Sequence, residues 1–154
     1  MAVITSLLMD NLKAYDKSVA QQNVFQNVNG ALRTITNEVR YAKSVYTPTS
    51  VLGADAGQLS VETLLNAQAG ENAAYVDFYV DNGRMYEKRD GQSASPLTSE
   101  RVFVEQLRFT KLSSAAGKDS VTVNIQARIN TQSTNQKDQA RVAISSTAAL
   151  RGAY

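Results

Sequence analysis

Apolar residues spaced three and four apart run from residue 8 to residue 46 of this chain, where a proline cuts them off. No other feature constrains the fold as much. Leu32, Ile35, Val39, Ala42 and Tyr46 step by three, four, three and four, the period of an α-helix with one buried stripe. Val28 and Phe25 extend the stripe backward, and after a slip near Gln22 the series Val19, Tyr15, Leu12 and Leu8 resumes the alternation. Thr47-Pro48 follows Tyr46, and a proline drives the residue before it out of the helical region. The pattern therefore predicts one helix from about Asp10 to Tyr46.

Such a helix is roughly 55 Å long at ~1.5 Å per residue. A compact body of 154 residues has a radius of gyration of ~15 Å and a diameter of roughly 38 Å, so the helix must overhang by some 15–20 Å. The N-terminal half is the part to overhang, because "AQQNVFQNVNG" loads the helix sides with Gln and Asn around a thin apolar seam. Gly30 sits near the junction. A glycine inside a helix costs ~1 kcal/mol against alanine, which points to close backbone packing, a bend, or simply a tolerated surface position.

After Pro48 the texture changes to short alternating runs divided by turn residues, with no internal repeat. "QLSVETLL" reads as a short strand with Leu59 and Val61 on one face, in competition with a helical turn through Leu64 and Leu65. "AYVDFYVDNGRMYEKRDG" reads as a hairpin turning at Asn82-Gly83, a dipeptide suited to two positive φ angles. That register pairs Val80 with Met85, Tyr79 with Tyr86 and Asp77 with Lys88, and buries Val76, Phe78, Val80 and Met85. A Pro-containing loop, "SPLTSERV", leads to a strand in which Val102 and Val104 change parity to Leu107 and Phe109. A bulge near Glu105 reconciles the two. "SVTVNIQARI" alternates without fault, with Val121, Val123, Ile125, Ala127 and Ile129 inward, and Val142 and Ile144 mark a last edge strand. The predicted fold class is α+β, one domain over residues 1–154. A long helix spans 1–46, and an antiparallel sheet built from 47–154 lies on its C-terminal half. Ile35 and Val39 are the helix residues predicted to meet Val121, Val123 and Ile125 in the core.

Composition narrows the chemistry. The chain is 43% hydrophobic, 19% charged, and contains neither cysteine nor histidine, which removes thiolate ligands, disulfides, Ser-His and Cys-His nucleophiles and the commonest general base. "AGKDS" is not a phosphate loop, because the first glycine of that motif falls on Leu112. Asp55, Gly57 and Glu62 lack the alternating acidic positions of a calcium loop. Calcium on the hairpin carboxylates Asp77, Asp81, Glu87 and Asp90 competes with simple charge pairing to Arg84, Lys88 and Arg89. The reading assigns no catalytic residue, no metal site and no cofactor.

Charge is uneven along the chain: residues 1–46, 47–100 and 101–154 carry +2, −5 and +5. The expectation is that these segments interleave in a sheet. If they separate, the body becomes a charge dipole suited to head-to-tail stacking. A basic final third also raises DNA as a partner, but it lacks an arginine cluster with interleaved aromatics. "AVITSLLM" is an apolar run too short to cross a bilayer and without signal-peptide flanks, and it reads as the tail of something longer.

The order of elements is distinctive: a long helix ending in "LRTITNEVRYAKSV", the hairpin "VDFYVDNGRMYEKRDGQ", the proline loop "SPLTSERV", the strand "VEQLRFTKL" and the ending "TAALRGAY". Together these resemble the minor pseudopilins of type II secretion systems, especially the J-type, and the related minor pilins of type IV pili. The resemblance implies a pilin-like fold and a structural, non-enzymatic filament subunit that initiates or caps assembly for protein export, adhesion or DNA uptake. It further implies an N-terminal membrane anchor, cut by a prepilin peptidase before a methylated Phe, whose positions have no counterpart here; the head would sit in the periplasm or on a surface filament. Its partners would be other pilin subunits, gathered through the helix seam Leu8, Leu12, Tyr15 and Val19. Two competing readings are a pilus-tip adhesin or DNA receptor on the same fold and a small enzyme or inhibitor domain.

Overall fold

A computed structural model describes residues 2–63, 70, 73–113, 119–130 and 140–151, with side chains from residue 14 onward. Helix α1 spans Ala2–Tyr41, some 60 Å at ~1.5 Å per residue. Its buried stripe is Val24, Val28, Ala31, Leu32, Ile35 and Val39, each at most 6% exposed. Phe25 is a correction. It is 46% exposed while its neighbour Val24 takes the inward position, because a residue ~100° further round the helix falls on the margin of the stripe.

The helix stops five residues earlier than the proline signal implied. Ala42–Val45 form strand β1, which pairs with β2 (Leu59–Thr63) and carries a bulge between Ala42 and Ser44. The bulge inserts Lys43, so Ala42 and Val45 both point inward at a spacing of three and imitate a helical step. Lys43 Nζ and Ser44 Oγ both donate to the Glu62 carboxylate at 2.8 Å. These bonds and the ladder to β2 outweigh the weak helix preference of Ser and Val.

Two sheets take the place of the single one expected. The first runs β1-β2-β3-β4-β5, with β3 at Ala74–Asp81, β4 at Arg84–Arg89 and the two-residue β5 at Ser95–Pro96. The second runs β6-β7-β8, with β6 at Val102–Ser113, β7 at Asp119–Ile129 and β8 at Arg141–Ala149. Every described pairing between these strands is antiparallel. The β3–β4 register is the one read from the sequence. Asn82 (φ 49°) and Gly83 (φ 74°) are both left-handed, and the Tyr79 and Tyr86 rings stack at 5.8 Å. The β6 ladder shifts between Val104 and Gln106, so the bulge at Glu105 performs the parity change. Leu64, Leu65 and the β6–β7 connection lie outside the described residues.

Among the described residues, the hairpin tip and the segment before β2 tie the rest of the head to β6. The hairpin tip meets β6 where Val104 N donates to Gly83 O at 2.8 Å, and the Phe103 ring lies so close that a Cβ on Gly83 would stand 2.4 Å from it. The segment 51–58 covers the outer edge of β6: Gly53 N donates to Phe109 O, Gly57 N to Leu107 O and Leu107 N to Asp55 O, each at 2.8 Å. Gly57 is required there, since a Cβ would lie 2.8 Å from Leu107 O. Gly30 is the reverse case, exposed on α1 with nothing within 4 Å of a Cβ. Close packing does not explain it, so Gly30→Ala stabilises the fold by about 1 kcal/mol, read as a rise in urea midpoint at unchanged slope.

One apolar core lies between α1 and the two sheets. It joins Ile35 and Val39 of the helix, Val61, Val76, Phe78 and Met85 of the first sheet, and Leu107, Phe109, Val121, Val123 and Ile125 of the second. A salt bridge crosses the margin of that core. Arg89 of β4 reaches Glu38 of α1 and, through Nε at 2.8 Å, Glu87.

Candidate assembly surface

Ile35, Val39, Val121, Val123 and Ile125 are all fully buried. The seam residues are placed differently. Leu8 and Leu12 lie within α1, and their side chains fall outside those described. Tyr15 and Val19 are 68% and 42% exposed. From residue 14 to residue 23 every side chain except the half-buried Ala20 is exposed, and burial against the sheets begins at Val24.

The slip near Gln22 has a geometric meaning. At ~100° per residue, Tyr15 and Val24 are about half a turn apart, and Val19 stands ~140° from Val24. The apolar series is therefore two stripes on nearly opposite faces of one helix. Val24 and the stripe that follows it face the sheets, whereas Tyr15 lies on the far side of the helix and Val19 on its flank, about half a turn from the centre of that stripe. A linear list of threes and fours passes over this rotation; a five-residue step, from Val19 to Val24, is its signal.

Two grooves flank the helix where it enters the head. One, of about 490 Å³, runs between Val19, Ala20 and Val24 on α1 and Arg101, Val102 and Ile129 across from it. It is bridged at its upper end by Ser99 N donating to Asn27 Oδ1 at 3.1 Å. The other, of about 510 Å³, lies between Phe25 and the first half of β8.

The charges do not interleave as expected. The acidic middle of the chain supplies β2–β5 and the basic final third supplies β6–β8, because consecutive hairpins keep neighbouring segments in one sheet. Most cations of the second sheet are nonetheless held by carboxylates: Arg108 by Asp55, Lys111 by Asp119 at 2.8 Å, and Arg128 and Arg141 by Glu105 at 3.1 and 3.4 Å. Hydrogen bonds from Arg108 and Gln106 hold the Asp55 carboxyl below its ordinary range, and those from Lys111 and Ser113 do the same for Asp119. Both carboxylates stay charged well below neutral pH, so both ion pairs persist across the physiological range.

The hairpin carboxylates point in different directions. Glu87 pairs with Arg89, Asp77 accepts from Ser60 Oγ at 2.5 Å, and Asp90 accepts from Tyr75 N. Arg84 pairs with Glu100 at 3.2 Å, outside the hairpin where its partner was expected. Among the described residues no group of three His, Cys, Asp or Glu is placed to hold a metal ion, and no helix is long and apolar enough to cross a membrane.

The sequence matches no protein-family profile and no curated protein. Its structure is similar to that of the type IV-like pilin TTHA1219 from Thermus thermophilus, with a TM-score of 0.59 at 10% identity over 81% of this chain and 95% of that one. The long N-terminal helix followed by antiparallel sheets is a pilin-like α+β fold.

Proposed function

We propose that this chain is a structural, non-catalytic subunit of a pilin-type filament, a minor pseudopilin or minor pilin anchored in the bacterial envelope with its head outside the cytoplasm. The observation that carries the reading is the exposed pair Tyr15 and Val19, on the part of the helix that precedes the stripe buried against the head. An apolar stripe reaching past the body of its own domain calls for a partner. A bundle of like helices supplies one, with each head covering the opposite side. The likeness to a type IV-like pilin supports the same arrangement. The resemblance of the sequence to J-type pseudopilins favours a role in initiating or capping a secretion pseudopilus. The DNA-receptor alternative is less favoured, since Arg108, Lys111 and Arg128 are tied to carboxylates.

The test is a Tyr15→Glu/Val19→Glu double variant expressed in the full-length precursor. Charges placed in an apolar helix interface go unpaired, so co-purification with sister subunits falls at least about tenfold while the melting temperature of the head stays within about 2 °C. Normal assembly by the double variant would refute the reading.

A further inference from the structure

β8 is the outer strand of the second sheet, and its free edge is the longest uncovered one among the described residues. β1 has four residues and a bulge, β5 has two, and the edge of β6 is taken by segment 51–58 and the hairpin tip. The direction of the backbone groups follows from two bonds. Ile129 N donates to Ala140 O and Leu150 N donates to Asp119 O, each at 2.9 Å, and β7–β8 pairing is unshifted between them. In an antiparallel ladder hydrogen-bonded pairs alternate. Even-numbered residues therefore bond to β7, and Arg141, Ala143, Ser145, Thr147 and Ala149 aim their N–H and C=O groups away from it.

Sheets usually blunt such an edge with proline, inward charge, a bulge or a cover. Residues 142–149 contain no proline and no charge, and the pairing has no bulge. Beneath the edge, Phe25 is 46% exposed and lines the 510 Å³ groove with the half-buried Val142 and Ile144. A strand added ~4.8 Å beyond β8 lies over that groove, and its inward side chains cover the ring. At the N-terminal end of the edge, one carboxylate, Glu105, serves both Arg128 and Arg141. The Arg141 side chain is 56% exposed, which leaves a cation there to be met.

We propose that an extended segment of a partner polypeptide adds to β8 as a fourth, antiparallel strand, with alternate apolar side chains on Phe25 and a carboxylate opposite Arg141. Main-chain bonds supply the affinity of such an addition, and the groove beneath supplies its specificity. The inference stands apart from the filament reading: Tyr15 and Val19 lie on another face and are untouched by the test below.

The probe is a fluorescein-labelled, C-terminally amidated peptide, Thr-Val-Thr-Val-Thr-Val-Glu, titrated into the chain and followed by anisotropy. Saturable binding is expected, weakened about tenfold or more by Ser145→Pro and about fivefold by Phe25→Ser, and weakened also when Lys replaces the peptide's Glu. Proline at 145 removes an outward N–H and leaves the ladder to β7 intact; Ala143→Pro serves the same purpose if the first variant fails to fold. Equal binding to a folded proline variant, or no saturable binding to the wild type, overturns the proposal. So does concentration-dependent dimerisation abolished by Ser145→Pro, which would give the edge to a second copy of this chain.

Discussion

Replacing Ile125 by alanine lowers the melting temperature by roughly 4–20 °C, and replacing Ile35 does the same. Both side chains are fully buried in the cluster where α1 meets the second sheet. Truncating a buried isoleucine costs about 2–5 kcal/mol through lost burial and the cavity left behind. At this chain length each kcal/mol corresponds to roughly 2–4 °C. Val19→Ala is the control. Its side chain is 42% exposed, and surface truncations cost within about 0.5 kcal/mol, so its melting curve overlays that of the wild type. Scanning calorimetry of the three variants decides the point. An equally large loss for Val19→Ala would mean that the N-terminal half of the helix is part of the core.

The second large effect concerns Arg89. Its side chain is 17% exposed and its guanidinium lies between the carboxylates of Glu38, at 14%, and Glu87, at 15%, so one cation ties the helix to the hairpin. Removing one member of a mostly buried ion group strands the remaining charge and costs about 3–5 kcal/mol. Arg89→Ala strands two carboxylates, and the chain should unfold at clearly lower urea. Changing all three together, Arg89→Met with Glu38→Leu and Glu87→Leu, restores most of the loss, because well-packed apolar side chains replace buried ion groups at little cost. If Arg89→Ala matches the wild type in urea, the group contributes no net stability.

Much of the head was readable from local chemistry. The hairpin turned at Asn82-Gly83 because that dipeptide accepts two left-handed residues, and the turn sets every cross-strand pair behind it. The bulge at Glu105 was readable too, since a period-two pattern that changes parity has few other solutions. Ala42–Val45 misled for the same kind of reason: a bulge at Lys43 spaces inward residues by three, as a helix does, and nothing local separates the two.

By itself the sequence determined what depends on neighbours along the chain: a long helix, the strand faces, the hairpin register, and the absence of thiol and imidazole chemistry. Tertiary structure decided what depends on segments far apart in sequence. It split the strands into two sheets, placed segment 51–58 along β6, and paired Arg89 with Glu38 across 51 residues. It also turned Val24 inward in place of Phe25. The period of a helix says which residues share a face. Only the packed sheets say which face is covered, and they leave Tyr15 and Val19 exposed and the edge of β8 open.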